Sequence, residues 1–355
     1  MRSPTSKLTL TGRRTEVTAS DAEQLLVSIF AGLGFASRAS KQVAAHLVET
    51  SLCGIESHGI MRVLEYAKQV RTGYLDPTGT PSIQRDDRGV FRVEGGGGIG
   101  IPTMQLAYET GVEEAREKGI SALSIRNVGH TGRHGAFADM AAEQGFLTIC
   151  VGGGNRKTWR QVAPYGGTKA LLPTNPWCVG IPGGDMGPVV LDFATSKIAG
   201  GWIYAARSAG ALLPEGCIID KEGNATRNPE DYFDGGAILP SGAQKGYALA
   251  VVGEIIGEAM LGPSTTECNW LLITLDTTRF REPGAIEASA EEVLAELRNC
   301  PPAPGFTQVE VPGERERNHH AASEGRIAVP DETWAQINKL AHNLGVANVS
   351  PPQPN

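Results

Sequence analysis

Ser57, His58 and Arg62 bring a hydroxyl, an imidazole and a guanidinium into one short stretch of the chain. On a helix, positions i and i+4 share a face, so His58 and Arg62 are expected to point into the same cleft. An imidazole exchanges protons near neutral pH, and a guanidinium grips a carboxylate through two parallel hydrogen bonds. The pair suits an acid–base step on a small carboxylic acid. The same residues also describe a histidine capping a helix beside a surface arginine.

Three further clusters carry chemistry. His130 and His134 lie four residues apart within Asn127–His134, a spacing that invites a zinc reading. A zinc protease helix needs Glu directly after the first His, and Thr131 stands there, so no metal is expected and the segment reads as polar lining of a substrate pocket. Asp192 closes an apolar run and is followed by Thr195 and Ser196. It reads either as a carboxylate that orients a histidine or binds a ribose, or as part of a helix cap. Lys245 stands near the start of an apolar helical stretch, where a cation opposes the helix dipole unless an anion is bound. His319 and His320 read as a solvated loop.

Gly95, Gly97 and Gly100 satisfy G-x-G-x-x-G between an alternating run (Val90, Phe91, Val93) and a helical pattern (Met104, Leu106, Ala107). Such glycines let main-chain amides approach a pyrophosphate at a helix N-terminus. The next strand then normally ends in a carboxylate for the ribose. Here it ends in Arg126 and Asn127, and Pro102 sits early in the helix. The motif is therefore read as a permissive strand-to-helix turn, with Arg126 as the one feature that would suit a 2′-phosphate.

The elements that must position these residues follow from periodicity. Residues 20–72 read as helical, with apolar faces at Leu25, Leu26, Ile29 and Phe30, then at Val43, Ala44, Leu47 and Val48, then around Ile60, Val63, Leu64 and Ala67. From Val90 onward the stretches VFRVE, ISALSIR, FLTICVG, NPWCVGIP, PVVLDFA and WLLITLD read as strands. Helices are expected over 103–118, 135–144 and 246–261, the last so apolar that it reads as buried, and over EEVLAELRN and DETWAQINKLAHNLG. The 355 residues, 41% apolar and 20% charged, suffice for a sizeable core. A net charge of −7 gives no basic footprint for nucleic acid, and no apolar run approaches a membrane span. Six scattered cysteines without C-x-x-C fit reduced thiols and a cytoplasmic location. Residues 1–14 and 350–355 read as loose termini.

Taken together, SHGIMRVLEYAKQVRTGYLDP, NVGHTGRHGAFADMAAEQGF, PYGGTKALLPTNPWCVGIP, LDFATSKIAGG, LPEGCIIDKEGNATRNP, LPSGAQKGYALAV and VPGERE resemble, in order, the type-2 malate/L-lactate dehydrogenase family, most closely its hydroxycarboxylate dehydrogenase B-like members. The resemblance covers residues 20–345. It implies a mixed α/β fold with a largely antiparallel, non-Rossmann cofactor sheet and a helical domain formed from both termini. The expected boundaries are 15–85 plus 310–350 for the helical, substrate-side domain and 86–309 for the NAD(P)-binding region.

The resemblance further implies NAD or NADP as cofactor, a small 2-oxo or 2-hydroxy acid as substrate, and at least a homodimer. His58 matches the family's acid/base, with Ser57 and Arg62 beside it and Asp192 close enough to orient or charge-stabilise it. His130, Arg133 and Thr174 fall in the substrate pocket. Pro188, Val189, Val190, Leu191, Asp192, Phe193, Ala194, Gln244, Lys245, Gly313, Glu314 and Arg315 fall on the cofactor segments. Reduction of a cyclic ketimine is the alternative reaction; a cofactor-binding protein without turnover is the alternative class. The chain departs from the family pattern at Pro173, Trp202 and Ala243-Gln244, which bears on substrate range.

Overall fold

The computed structural model describes residues 12–85, 89–157, 159–208, 210–282 and 284–346. Most of the expected leader and the VSPPQPN tail lie outside the described residues.

The chain begins with β1 (Arg14–Thr18), α1 (Ala19–Gly32), α2 (Ser37–Leu52), a 3-10 turn (Glu56–His58) and α3 (Arg62–Arg71). Thr18 caps α1 by accepting from the Asp21 amide, and Leu25, Leu26, Ile29 and Phe30 turn inward as their spacing requires. Next come β2 (Ser82–Arg85), β3 (Phe91–Glu94), α4 (Gly100–Lys118), β4 (Ile120–Val128), α5 (His134–Ala142), β5 (Phe146–Gly153), β6 (Trp177–Gly184) and β7 (Gly187–Phe193). A smaller lobe follows, with α6 (Gly200–Ser208), β8 (Ile218–Ile219), β9 (Ala225–Thr226), α7 (Pro229–Phe233) and β10 (Ala237–Ile238), leading into α8 (Gln244–Ile255) and a π-turn at Ile256–Met260. The chain closes with β11 (Cys268–Asp276), α9 (Ala285–Arg298), α10 (Glu314–Ala322), β12 (Arg326–Pro330) and α11 (Asp331–Asn343).

The main sheet has seven strands in the order β2-β3-β4-β11-β5-β6-β7, and every neighbouring pair is antiparallel except β3 and β4. The fold is therefore mixed α/β with a mostly antiparallel sheet, as expected. Its two ends are tied together: β1 pairs with β12 from Arg14↔Pro330 to Thr18↔Arg326, and α11 packs on α1 and α3. One continuous core joins these helices to the sheet through α2 and α4.

Three local expectations need correction. His58 and Arg62 do not share a helix: His58 ends the 3-10 turn and Arg62 opens α3. The break sits at Gly59, where a Cβ would collide with Ser51, whose hydroxyl already accepts the Ile60 amide at 2.9 Å. The 246–261 stretch is not a buried helix. Val252, Ile255 and Met260 are 49%, 59% and 61% exposed, because α8 buries only the stripe of Gly246, Ala250, Gly253 and Glu254. His319 and His320 lie in α10, not a loop; His319 Nδ1 meets Leu52 O at 2.7 Å and His320 pairs with Glu49 at 3.1 Å.

Candidate active site

A cleft of ≈ 1550 Å³ runs between the 3-10 turn and α3 on one side and the loop before α5, the end of β7 and Gly313 on the other. His58 lies on its wall. Ser57 Oγ stands 2.9 Å from His58 Nδ1, which leaves Nε2 as the ring atom free to exchange a proton with a ligand. Burial first, then the positive fields of Arg62 and Arg133, hold His58 down at about 3, so the free imidazole is neutral at pH 7.

Arg62 is engaged by two side chains of α3, Glu65 and Tyr66. Its Nη1 pairs with Glu65 at 2.6 Å, its guanidinium lies 5.6 Å from the Tyr66 ring centroid, and it hydrogen-bonds the Tyr66 side chain. Tyr66 in turn meets His130 Nδ1 at 2.7 Å. The Gly132 amide also donates to that nitrogen, at 3.2 Å, so Nδ1 is the acceptor and His130 keeps its hydrogen on Nε2. Burial drives His130 well below the usual imidazole range, with Arg62 as the next cause. His130 is thus a neutral donor 5.2 Å, ring to ring, from His58. His134 Nε2 is 2.8 Å from Thr131 Oγ1, and His130 Nδ1 is held by Tyr66.

Arg133 is buried along the same wall, 3.7 Å from Cys53 Sγ and 4.0 Å from Asp139, with Nε unpartnered. Asp192 reaches the cleft from β7, but its carboxylate is committed to the N-terminus of α5, accepting the Gly135 amide at 2.7 Å and the His134 amide. A carboxylate at that pole is favoured by the helix dipole. The expectation that Asp192 orients His58 is corrected accordingly: Ser57 occupies Nδ1. Thr174 lines the cleft, with its carbonyl holding both the amide and the hydroxyl of Thr195.

Of the expected cofactor residues, Val190, Leu191, Asp192, Phe193, Ala194, Gly313 and Arg315 line the cleft, whereas Pro188, Val189, Gln244, Lys245 and Glu314 do not. Pro188 O is taken by Arg317. Glu314 is buried and spent on structure, accepting from Arg298 at 2.7 Å and from the Val311 amide at 3.3 Å. Gln244 and Lys245 are exposed in the first turn of α8. Val190 N donates outward to Pro312 O, so the antiparallel alternation turns the main chain of Asp192 to the same outer edge of β7, the last strand of the sheet. Trp202 and Tyr204 both line the cleft.

The glycine motif lies outside this cleft. It does sit in a βαβ unit, since β3 and β4 are parallel and α4 crosses between them. Yet the amides of Gly95, Gly97, Gly98 and Gly100 all donate to main-chain carbonyls, so the three motif glycines offer no free amide to a phosphate. Nor is the turn merely permissive. A Cβ on Gly98 would stand 2.7 Å from Gly79 O, and one on Gly100 2.6 Å from Gly129 O, so the glycines allow backbones to touch. Arg126 bonds Leu261 O and is likewise engaged. Gly97, at φ 73°, has room for a methyl group. Gly97→Ala is expected to cost about 1–2 kcal/mol of stability through the left-handed backbone alone, with no change in the cofactor dissociation constant. Chemical denaturation and nicotinamide fluorescence titration would check the two halves.

Sequence reasoning missed Glu267, Tyr66 and His46. Tyr66 could have been found, since it follows Arg62 by four residues on α3. His46, which accepts the Arg133 amide at 3.0 Å, and Glu267, which enters the cleft from just before β11, carry no local signal.

The chain as a whole is similar to known proteins. The family model described as malate/L-lactate dehydrogenase matches residues 17–338. The chain belongs to the malate/L-lactate dehydrogenase family. Within it, the chain is 30% identical over 346 residues to an L-lactate dehydrogenase of Cupriavidus necator, covering 94% of this chain and 99% of the relative. It is 32% identical over 346 residues to hydroxycarboxylate dehydrogenase B of Escherichia coli O157:H7, covering 92% and 94%. A solved malate/lactate dehydrogenase from E. coli, described as putative, superposes with a TM-score of 0.84 at 28% identity, covering 95% of this chain and 97% of that one. Relatives named as lactate, hydroxycarboxylate and malate dehydrogenases support a hydroxy acid dehydrogenase, and the family implies a nicotinamide cofactor.

Proposed function

We propose that this family member transfers hydride between NAD or NADP and a small 2-oxo/2-hydroxy acid, with His58 as the acid/base. The observation that carries this is a neutral imidazole on a cleft wall, with one ring nitrogen committed to Ser57 and two guanidinium groups acting on it. When bound, a reduced nicotinamide supplies the hydride to C2 of the substrate. His58 Nε2 gives the proton to the carbonyl oxygen, and in the reverse direction takes it from the hydroxyl. Arg62 and Arg133 attract the carboxylate, and His130 Nε2–H donates to the substrate's oxygens.

The cleft fits a dinucleotide as well as a small acid. Its ≈ 1550 Å³ exceeds what a drug-sized ligand occupies, roughly 300–1,000 Å³. The outer edge of β7 offers main-chain donors and acceptors beside it. Val190 to Ala194, Gly313 and Arg315 would hold the cofactor. The exposed apolar side chains Val252, Ile255 and Met260 support a homodimer.

The test is a panel of pyruvate, oxaloacetate, phenylpyruvate and piperideine-2-carboxylate, each with NADH and NADPH, followed by nicotinamide absorbance. Turnover of a 2-oxo acid is expected. Turnover of the cyclic imine alone would favour the ketimine reaction of the Pseudomonas putida relative, which is 30% identical over 336 residues. Cofactor binding without consumption in any arm would overturn the enzyme reading.

A further inference from the structure

Tyr66 is fully buried on α3 and takes no part in the chemistry proposed above. Its ring packs on Phe30 of α1, with centroids 6.4 Å apart, and lies 5.6 Å from the Arg62 guanidinium. Its hydroxyl meets His130 Nδ1 at 2.7 Å. His130 belongs to the connection between β4 and α5, so no helix or strand sets the direction of its ring. Local contacts do so instead. The Gly100 amide holds the His130 carbonyl at 3.0 Å, while the Gly132 amide and the Tyr66 hydroxyl converge on Nδ1.

The main chain decides the direction of these hydrogen bonds. An amide only donates, so the Gly132 contact at 3.2 Å makes Nδ1 an acceptor. The phenol hydrogen then points at the same nitrogen, because a phenol oxygen has nothing to offer a lone pair. Gly132 can turn its amide back on the ring because it stands at φ 76°, a left-handed conformation, and a Cβ there would collide with His46. His130 thus carries its hydrogen on Nε2, the ring nitrogen left for the cleft. Donation into Nδ1 draws electron density from the ring and strengthens Nε2–H as a donor. That donor stands beside the acid/base, the His58 and His130 rings being 5.2 Å apart.

We propose that Tyr66 is a positioning residue acting through His130: its hydroxyl aims and polarises Nε2–H so that the cleft reads an acceptor at C2 of the substrate, next to the carboxylate drawn by Arg62 and Arg133. This rests on the 2-oxo acid reading above and deepens it. A substrate is then recognised by two adjacent features, a carboxylate and a lone-pair-bearing atom on the neighbouring carbon. A simple carboxylate offers only the first. A site built to donate to an oxygen rejects the analogue that lacks it, because the donor is left unpaired. Arg62 also leans on Tyr66, so the carboxylate arm and the C2 arm have to be read separately.

The experiment compares oxamate, an unreactive analogue of a 2-oxo acid, with propionate, which is pyruvate without the C2 oxygen. Both are titrated into the NADH- or NADPH-loaded wild type, Tyr66→Phe, His130→Gln and the double variant. The wild type is expected to bind oxamate about tenfold or more tightly than propionate. Y66F should weaken oxamate by about tenfold and change propionate much less. In the H130Q background the two constants should lie close together, and adding Y66F should leave their ratio unchanged. In turnover, kcat/KM for a 2-oxo acid should fall in Y66F by at least the factor lost with oxamate, with the cofactor dissociation constant unaltered. A second readout needs no ligand: long-range proton–nitrogen correlation spectra of the imidazoles, with His130 assigned by its loss in H130Q. The hydrogen is expected on Nε2 in wild type and Y66F alike, with the Nδ1 resonance moving toward that of a free acceptor in Y66F. Equal weakening of both acids in Y66F, equal binding of both by the wild type, or an Nδ1 resonance that stays in place would each overturn the proposal. A hydrogen found on Nδ1 in the wild type overturns it too. All four leave the 2-oxo acid reading standing, whereas failure of the loaded enzyme to bind oxamate at all overturns both.

Discussion

Replacing His58 with Gln is expected to lower kcat by about 10²–10⁴ in both directions, the usual worth of a positioned acid–base group, while the cofactor dissociation constant stays near the wild-type value. Gln keeps a polar atom for Ser57, which sits 2.9 Å from the ring, so the 3-10 turn need not rearrange. It cannot cycle a proton. The wild-type imidazole is neutral at pH 7, held at about 3 by burial and by Arg62 and Arg133. Hydroxy acid oxidation therefore finds its base ready, and its kcat/KM should show no acid limb from His58 between about pH 5 and 7. Reduction needs the imidazolium. A substrate carboxylate set against Arg62 and Arg133 cancels part of the field that keeps the proton off, so the acid forms in the complex rather than before it. Stopped-flow turnover with a cofactor titration on the same preparation separates the two readouts. Turnover near the wild-type rate in H58Q would remove His58 from the chemistry.

The strands were legible because each carries alternating or continuous β-branched residues between glycines, and all six segments read as strands lie in the main sheet. The helices of both termini were legible from their apolar stripes. Where the reading failed, the deciding contact lay far away in sequence. His58 and Arg62 have helical spacing, yet Gly59 packed against Ser51 of α2 breaks the helix between them. The glycine motif marks a true βαβ unit, but carbonyls of 126, 127 and 130 consume its amides before any phosphate could. Glu314 looked available beside Gly313 until Arg298 of α9 claimed it. Glu267 could not have been singled out at all: only the fold brings a residue at the head of β11 against α3. The apolar content of α8 overstated its burial because its small residues form the packed stripe while Val252 and Ile255 face outward.

Stability should fall on mild acidification, and the cause lies in the buried histidines gathered in and behind the site. His46, His58 and His134 are each held at about 3, chiefly by burial, and His130 is lowered in the same sense. Above their unfolded value near 6.5 both states are neutral and the shifts cost nothing. As pH falls below about 6.5 the unfolded chain takes up protons that the folded chain refuses, so stability is lost until about pH 3. At about pH 5.5 each such histidine removes about 1.4 kcal/mol, or about 4 kcal/mol for the three. Glu267 works in the opposite direction. Its folded value of about 7 lies above the ordinary 4.5, so it adds stability as pH falls from 7 to 4.5, about 2 kcal/mol by pH 5.5. Asp139 and Asp192, also raised by burial, add to that side. Below about pH 4.5 the carboxyl groups are protonated in both states and their help stops growing, while the histidine penalty continues. Denaturant unfolding is therefore expected to show a loss of about 2 kcal/mol between pH 7.5 and 5.5 and a steeper one below 4.5. His46 offers the control, because it stands behind the cleft and needs only an acceptor for the Arg133 amide, which a glutamine oxygen supplies. His46→Gln should flatten the slope below pH 6 by about 1.4 kcal/mol per pH unit, one proton's worth. A wild-type stability that stays level from pH 7.5 to 4 would show that these imidazoles accept protons inside the fold.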